Sequence, residues 1–430
     1  MKSLLPVSAV RLSGLCLAAL AAGAILLDSP ARGEDWPQWR GPRRDGISRE
    51  TGLLQQWPED GPKLLWQARD LGEGYSTPAV IGKRIYLISN RGMEDEFVQV
   101  LDAADGKQIW QTHLGKVGVN RGPQYPGARG TPTVDGDLLY AIGSDGDLAC
   151  LETESGKVKW HKSMRDDFGG KPGAWSYAES PLVDGNAVIC TPGGADATMV
   201  ALDKKTGEVI WKAPLEDADE AGYASAIVVV TGGVKQYVQF LQKGLVGIEA
   251  KSGKLLWRYD RTAKGSPANI PTPVAQGNFV YSAAGRSGGG LVELKADKDS
   301  VTAEQVYFLP KLPTAIGGSV ELDGFLYGTN SQGLVCADFK TGESKWQDRG
   351  VGAGGVLLAD GKLYIHGENG DLALVDAKSD AYAERGRFTP PDQPDRGKSK
   401  AWAYPVIAGG KLYVHDWGTL WCYDITDPAK

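Results

Sequence analysis

A chain of 430 residues with 42% hydrophobic and 23% charged residues can bury a core and excludes extended disorder. Its net charge of −6, with no lysine or arginine stripe, excludes the electrostatic footprint of a nucleic-acid partner. The 58 glycines and the lack of long amphipathic periodicity beyond the N-terminus exclude a helical bundle and point to an all-β fold rich in tight turns.

Lys2 and Arg11 precede an apolar run from Leu12 to Leu27, and Ala31-Arg32-Gly33 supplies small residues before Glu34. Residues 1–33 therefore read as a cleaved signal peptide. The apolar run falls short of the roughly 20 residues of a membrane span, so no transmembrane segment is expected after cleavage. Cys16 sits inside the run behind Leu15, which is not the place of a lipid-bearing cysteine.

Residues 34–62 form an arm containing Trp36-Pro37-Gln38-Trp39-Arg40-Gly41-Pro42, too rich in proline and glycine for a helix or an inner strand. The arm is expected to pack its two tryptophans on the body. Lys63-Leu64-Leu65-Trp66 then reads as the last strand of a repeat that lacks its first three.

From residue 63 to residue 430 the chain repeats at a period of roughly 40–50 residues. Each unit has a hairpin with an x-Gly turn, a second turn, and a Gly-Lys or Gly-Glu turn leading to a strand that ends in tryptophan. Hairpin turns near Gly82, Gly136, Gly185, Gly232, Gly277, Gly324, Gly361 and Gly409 count the units. Two-residue turns of this kind need positive φ, which glycine supplies. Four antiparallel strands per unit make a propeller blade. The expected fold is an all-β, eight-bladed propeller whose last blade is completed by the strand ending at Trp66; a seven-bladed ring is the alternative. Trp66, Trp110, Trp160, Trp211, Trp257 and Trp346 are structural docking residues between blades, and Tyr307 and Phe388 stand where two further tryptophans would be.

Cys150, Cys336 and Cys422 occupy matching places in their repeats, where Ala201 stands in MVALD. Equivalent positions in different blades lie far apart, so these cysteines and Cys190 read as buried thiols rather than disulfides. His113, His161, His366 and His415 are scattered without metal-ligand spacing, and no metal site is expected. Gly285–Gly290 (GRSGGG) reads as a wide turn between two strands of the fifth unit.

The motif Ala201-x-Asp203-x-x-Thr206-Gly207-x-x-x-Trp211 resembles the docking motif of quinoprotein-type propellers. These comprise pyrroloquinoline-quinone (PQQ) dehydrogenases and a cofactor-free branch that includes the propeller of the outer-membrane barrel assembly machinery. The opening DWPQWRGPRRDG resembles the start of exported PQQ-like repeat proteins. The resemblance implies the fold and leaves the chemistry to the residues.

Loops on one face of such a ring differ in length, and the longest span 111–130 and 161–179, which marks a binding face. Residues just ahead of the first strands are expected to ring the channel mouth: Tyr75, Trp175, Tyr177, Tyr223, Asn269 and Trp402. Arg129 and Glu179 are the strongest functional candidates there, the alternative being that they pair with each other. If PQQ binds, the resemblance implies Arg129, Glu179 and Asp196 as cofactor residues, with a calcium ion beside it. No Cys-Cys pair and no convincing asparagine ligand accompany them. The sequence therefore reads as a monomeric, non-catalytic binding scaffold, periplasmic or secreted, with no cofactor and an envelope protein or extended peptide as partner. A PQQ- and calcium-dependent dehydrogenase of alcohols or sugars is the first alternative. Carbohydrate binding through Trp175, Tyr177 and Trp402 is the second.

Overall fold

The stretch MVALDKKTGEVIW folds as the two outer strands of a blade, Met199–Asp203 and Val209–Ala213. Between them the Asp203 carboxylate accepts the backbone N–H groups of Lys205 (2.9 Å) and Thr206 (3.0 Å), and Gly207 takes a φ of 73°. Just past this turn the pairing register slips between Ala201 and Leu202, a bulge that turns Trp211 toward the next blade. The same slip recurs beside the outer strand of every blade, including those ending in Tyr307 and Phe388.

The computed structural model describes residues 1, 33–120, 125, 127–215, 219–298 and 300–429. All of the expected signal peptide except Met1 and Gly33 lies outside the described residues. Eight sheets form an eight-bladed propeller: seven have four strands and one has five. Blades one to six run in chain order from Ala79–Ile81 to Ser344–Asp348, and blade seven spans Gly354–Ala359 to Glu384–Phe388. Blade eight joins both ends of the chain, because Lys63–Ala68 pairs antiparallel with Thr419–Asp424. That pairing closes the ring and leaves no unpaired junction between its first and last blades.

Trp66, Trp110, Trp160 and Trp211 lie on the turn glycines of the following blades, Gly106, Gly156, Gly207 and Gly253, and each donates its indole N–H to a backbone carbonyl there. Trp160 donates to Lys204 O (3.0 Å), Trp110 to Thr153 O (3.1 Å) and Trp211 to Ala250 O (3.0 Å). Trp66 carries the pattern across the closure to Ala103 O (3.1 Å), and Trp346 reaches Lys378 O (2.8 Å). Trp257 departs from it and donates to Gln236 Oε1 of its own blade. The reason is local: blade five runs its outer hairpin as Gly288–Asp297 and Ser300–Leu309, without the turn glycine that receives an indole in other blades. Tyr307 keeps the pattern through its hydroxyl, which donates to Phe339 O (2.9 Å). Phe388 has no donor and is held by the rings of Trp57 and Tyr423, centroids 5.2 and 5.0 Å away.

Cys150, Cys190, Cys336 and Cys422 are buried free thiols. The GRSGGG segment corrects the expectation of a wide turn, since Gly288, Gly289 and Gly290 lie inside a strand. A Cβ on Gly289 would sit 2.2 Å from the Tyr281 hydroxyl, so the glycines admit a neighbouring ring rather than a loop.

The arm does more than pack on the body. Trp36 exchanges backbone hydrogen bonds with Val80 of blade one, and Pro37 O accepts from Val134 N of blade two. Arg40-Gly41-Pro42-Arg43-Arg44-Asp45-Gly46 then folds back on itself, with Arg40, Arg44, Gly41 and Gly46 all at positive φ. A Cβ on Gly41 would meet the Trp36 ring at 2.7 Å. From this tip the buried Arg44 guanidinium donates to Ala226 O (2.7 Å), Pro181 O (2.7 Å) and Ser180 O (3.0 Å) at blades three and four. Arg40 donates to Ser319 O of blade six, and Trp39 to Thr272 Oγ1 of blade five (2.8 Å). Ile47–Ser48 pairs in parallel with Leu358–Ala359 of blade seven, and Glu50 accepts the N–H groups of Gly409 and Gly410 in blade eight. The arm therefore enters the ring from the hairpin-turn face and is bonded to all eight blades. Innermost strands present carbonyls with no neighbouring strand, and a guanidinium with five donors can satisfy several at once.

Candidate functional site

On the opposite face the loops between outer and inner strands surround a cavity of about 300 Å³, within the range of ligand pockets. Every blade except the seventh contributes. The rings of Tyr75, Tyr125, Trp175, Tyr223, Trp402 and Tyr404 form its wall, and Trp39 of the arm forms its base. Trp402 packs against Tyr125 at 4.6 Å and against Tyr75 at 5.2 Å between centroids. Their polar ends are tied back: the Tyr75 hydroxyl to Ser399 Oγ (3.1 Å), Trp402 Nε1 to Glu368 Oε1 (3.0 Å), and the Tyr404 hydroxyl to Ile316 O (2.7 Å). What faces the cavity is thus mostly apolar ring surface.

Arg129 supplies the one cationic side chain in this lining. Its guanidinium donates to the carbonyls of Gly127 and Tyr125 and stands over the Tyr75 ring, 5.8 Å from its centroid. Burial holds its pKa below the ordinary arginine value, opposed by Tyr75 and Glu96. Glu179 does not pair with it. That carboxylate turns into the wall, where it accepts from Thr191 N (2.6 Å) and Gln239 Nε2 (2.9 Å), and burial pushes its pKa up to about 7.

Five of the expected mouth residues meet in the cavity: Tyr75, Arg129, Trp175, Tyr223 and Trp402. Three others are corrected. Tyr177 is buried with its hydroxyl on Pro192 O, and Asn269 is buried with its amide on Leu241 O and Gln242 O. Glu179 joins them, because backbone groups inside the loops draw these polar side chains inward. Asp196 is exposed on the turn between Cys190 and Met199, apart from the cavity lining. Trp39, Tyr125 and Tyr404 escaped the sequence reading, as did Glu96. The Glu96 carboxylate is fully buried, accepts from Ser144 N (2.6 Å) and the Ser144 hydroxyl, and is pushed up to about 7 by burial. His366 and His415 are also buried, their Nδ1 atoms on Ala403 O and Ser76 O, where they fasten loops beside the cavity.

The residues present match only one half of a calcium-dependent quinone site. Arg129 and the rings suit a flat anion, but the oxygen donors that would hold calcium point elsewhere. Among the described residues no group of three or more histidine, cysteine, aspartate or glutamate side chains is arranged to hold a metal ion.

A family model described as outer membrane protein assembly factor BamB matches residues 47–121 and 94–348. The chain is 25% identical over 241 residues to outer membrane protein assembly factor BamB of Yersinia pestis, covering 52% of this chain and 55% of that protein. It is 25% identical over 275 residues to the polyvinylalcohol dehydrogenase of Sphingopyxis sp. (strain 113P3), covering 57% of this chain and 36% of that enzyme. The chain thus spans about half or less of the length of these relatives. Among solved structures, BamB from Moraxella catarrhalis superposes with a TM-score of 0.59 at 14% identity, over 86% of this chain and 100% of that one. At that identity the likeness speaks for the fold.

Proposed function

Because the chain belongs to the family described as outer membrane protein assembly factor BamB, we propose that it is an exported binding propeller of the cell envelope. It holds a protein partner or extended peptide on the face that carries the aromatic cavity. The observation that supports this reading is the cavity itself: ring surface over most of its wall, Ala268, Ile270 and Ile316 on the remaining side, one guanidinium, and a base built from the chain's own arm. Such a surface buries apolar side chains of a partner and orients them with few polar contacts. The test is site-specific photocrosslinking in envelope extracts. A benzophenone side chain at Ala178, in the cavity, should give a discrete adduct that one at the exposed Ile210 of an outer strand does not. Identical adduct patterns at both positions would sink the proposal.

Quinone-dependent dehydrogenation is the second reading, favoured by Arg129 beside planar rings and by the dehydrogenase relative. Titration with PQQ, with and without calcium, followed by tryptophan fluorescence, separates the two. A flat titration supports the scaffold, and saturable calcium-dependent quenching supports the enzyme. Carbohydrate binding keeps Trp175 and Trp402 in the cavity but loses the buried Tyr177.

A further inference from the structure

The aromatic cavity does not end at its rim. A second hollow, of about 450 Å³, shares the wall residues Ala268, Ile270 and Ile316 with it and crosses the loops of blades five and six. A third, of about 460 Å³, shares Ala353 and Glu368 with the second and opens at the edge of blade seven. Together they make one trough running outward from the aromatic cavity.

The character of the trough changes along its length. Beyond the rings, its lining carries Arg286, Arg349, Arg387 and Lys400 against the single carboxylate of Glu368. Arg286 and Arg349 are exposed, and neither forms an ion pair among the described residues. Arg387 pairs with Glu384 (2.7 Å), Lys400 lies 3.9 Å from Glu368, and Asp348 accepts from Gly350 N, so the unpaired charge of the lining is that of Arg286 and Arg349. This is a cationic lane on a chain whose net charge is −6. Like-signed side chains along one lane attract a partner of opposite charge and set the direction in which it lies.

We propose that the trough holds an extended acidic polypeptide segment, with an aromatic side chain seated in the cavity and its carboxylates laid along Arg286 and Arg349. The inference rests on the binding reading above and adds the chemistry of the partner. A flat aromatic anchor matches the walls of the cavity, and an extended chain can follow three connected hollows where a folded knob could not.

The test uses the full mature protein and three short fluorescein-labelled peptides, each with one tryptophan near one end. In the first the remaining residues alternate glycine and aspartate; in the second asparagine replaces aspartate, and in the third lysine does. Fluorescence anisotropy should give binding of the acidic peptide about tenfold tighter than the neutral one at low salt, a preference that shrinks as salt rises. The double variant Arg286→Glu, Arg349→Glu should erase that preference while its thermal melt stays that of the parent. Equal affinity for acidic and neutral peptides, or a preference that survives the double variant, overturns the trough and leaves the cavity reading standing. Failure of both peptides to bind overturns both.

Discussion

The indole of Trp39 meets the ring of Tyr404 edge-on, with centroids 4.6 Å apart and planes at 69°. The two residues lie 365 positions apart in a 430-residue chain (404 − 39), one in the N-terminal arm and one ahead of the last blade. Their contact makes the base of the cavity a joint product of both ends of the chain. The arm that fills the channel from one face therefore shapes what can bind on the other.

Trp39→Ala should uncouple these roles. It removes a half-buried ring and the hydrogen bond to Thr272, and should cost about 2 kcal/mol of stability. Urea unfolding would measure that loss. With the base gone, the cavity opens into the channel, so affinity for a tryptophan-bearing peptide should fall more than tenfold while the sheet signal in circular dichroism persists. Unchanged affinity would remove Trp39 from the site.

Much of the propeller was legible because its signals are local. Strand alternation, x-Gly hairpins and the Gly-Lys or Gly-Glu turn ahead of the outer strand each act within a few residues, and repetition made them countable. Tyr75, Trp175, Tyr223, Trp402 and Arg129 could be placed by topology alone, since residues ahead of innermost strands must reach the channel mouth. Side-chain direction could not. Glu179, Asn269 and Tyr177 hold the right backbone positions but turn toward unsatisfied groups in neighbouring loops, which a linear sequence does not reveal. Trp39 was hidden for another reason: its role depends on where the arm threads, and that is fixed by long-range bonds from Arg40 and Arg44.

The turn glycines separate two costs that are usually mixed. Gly207 has a φ of 73° and lies under the Trp160 ring, where a Cβ would come within 2.8 Å. Gly136 has a φ of 60° with nothing within 4 Å. Gly136→Ala should cost only left-handed strain, about 1 kcal/mol. Gly207→Ala adds displacement of the docked indole and should cost about 3 kcal/mol. Chemical denaturation of the pair measures the difference, and equal losses would mean that the ring yields freely.

Arg44 anchors the arm inside the channel. Burial pulls its guanidinium down to about 9, still protonated at neutral pH, with Glu179 opposing the shift. Arg44→Met keeps the stem and removes every donor, leaving the carbonyls of Ser180, Pro181 and Ala226 without this partner. The expected loss is about 3 kcal/mol. Hydrogen exchange should rise in residues 36–48 more than in the blades, and uniform exchange across the molecule would show that the arm and ring unfold as one unit.

Glu96 gives the arrangement a pH signature. Its carboxyl is buried against Ser144, and its folded pKa of about 7 lies above the ordinary 4.5. The folded state therefore binds the proton more tightly than the unfolded chain does. The stability this contributes is complete below pH 4.5 and is lost as pH rises toward 7, where the native group must ionise without water. Glu96→Gln keeps the shape: its carbonyl can accept from Ser144 N and its amide can donate to the Ser144 hydroxyl. The variant cannot ionise, so its stability relative to the parent should improve by about 3 kcal/mol between pH 4.5 and pH 8. Thermal or urea unfolding of both proteins across that window measures the change. A parent-to-variant difference that stays level with pH would mean that Glu96 titrates alike in the folded and unfolded chains, and its burial would then have to be relieved by water reaching Ser144.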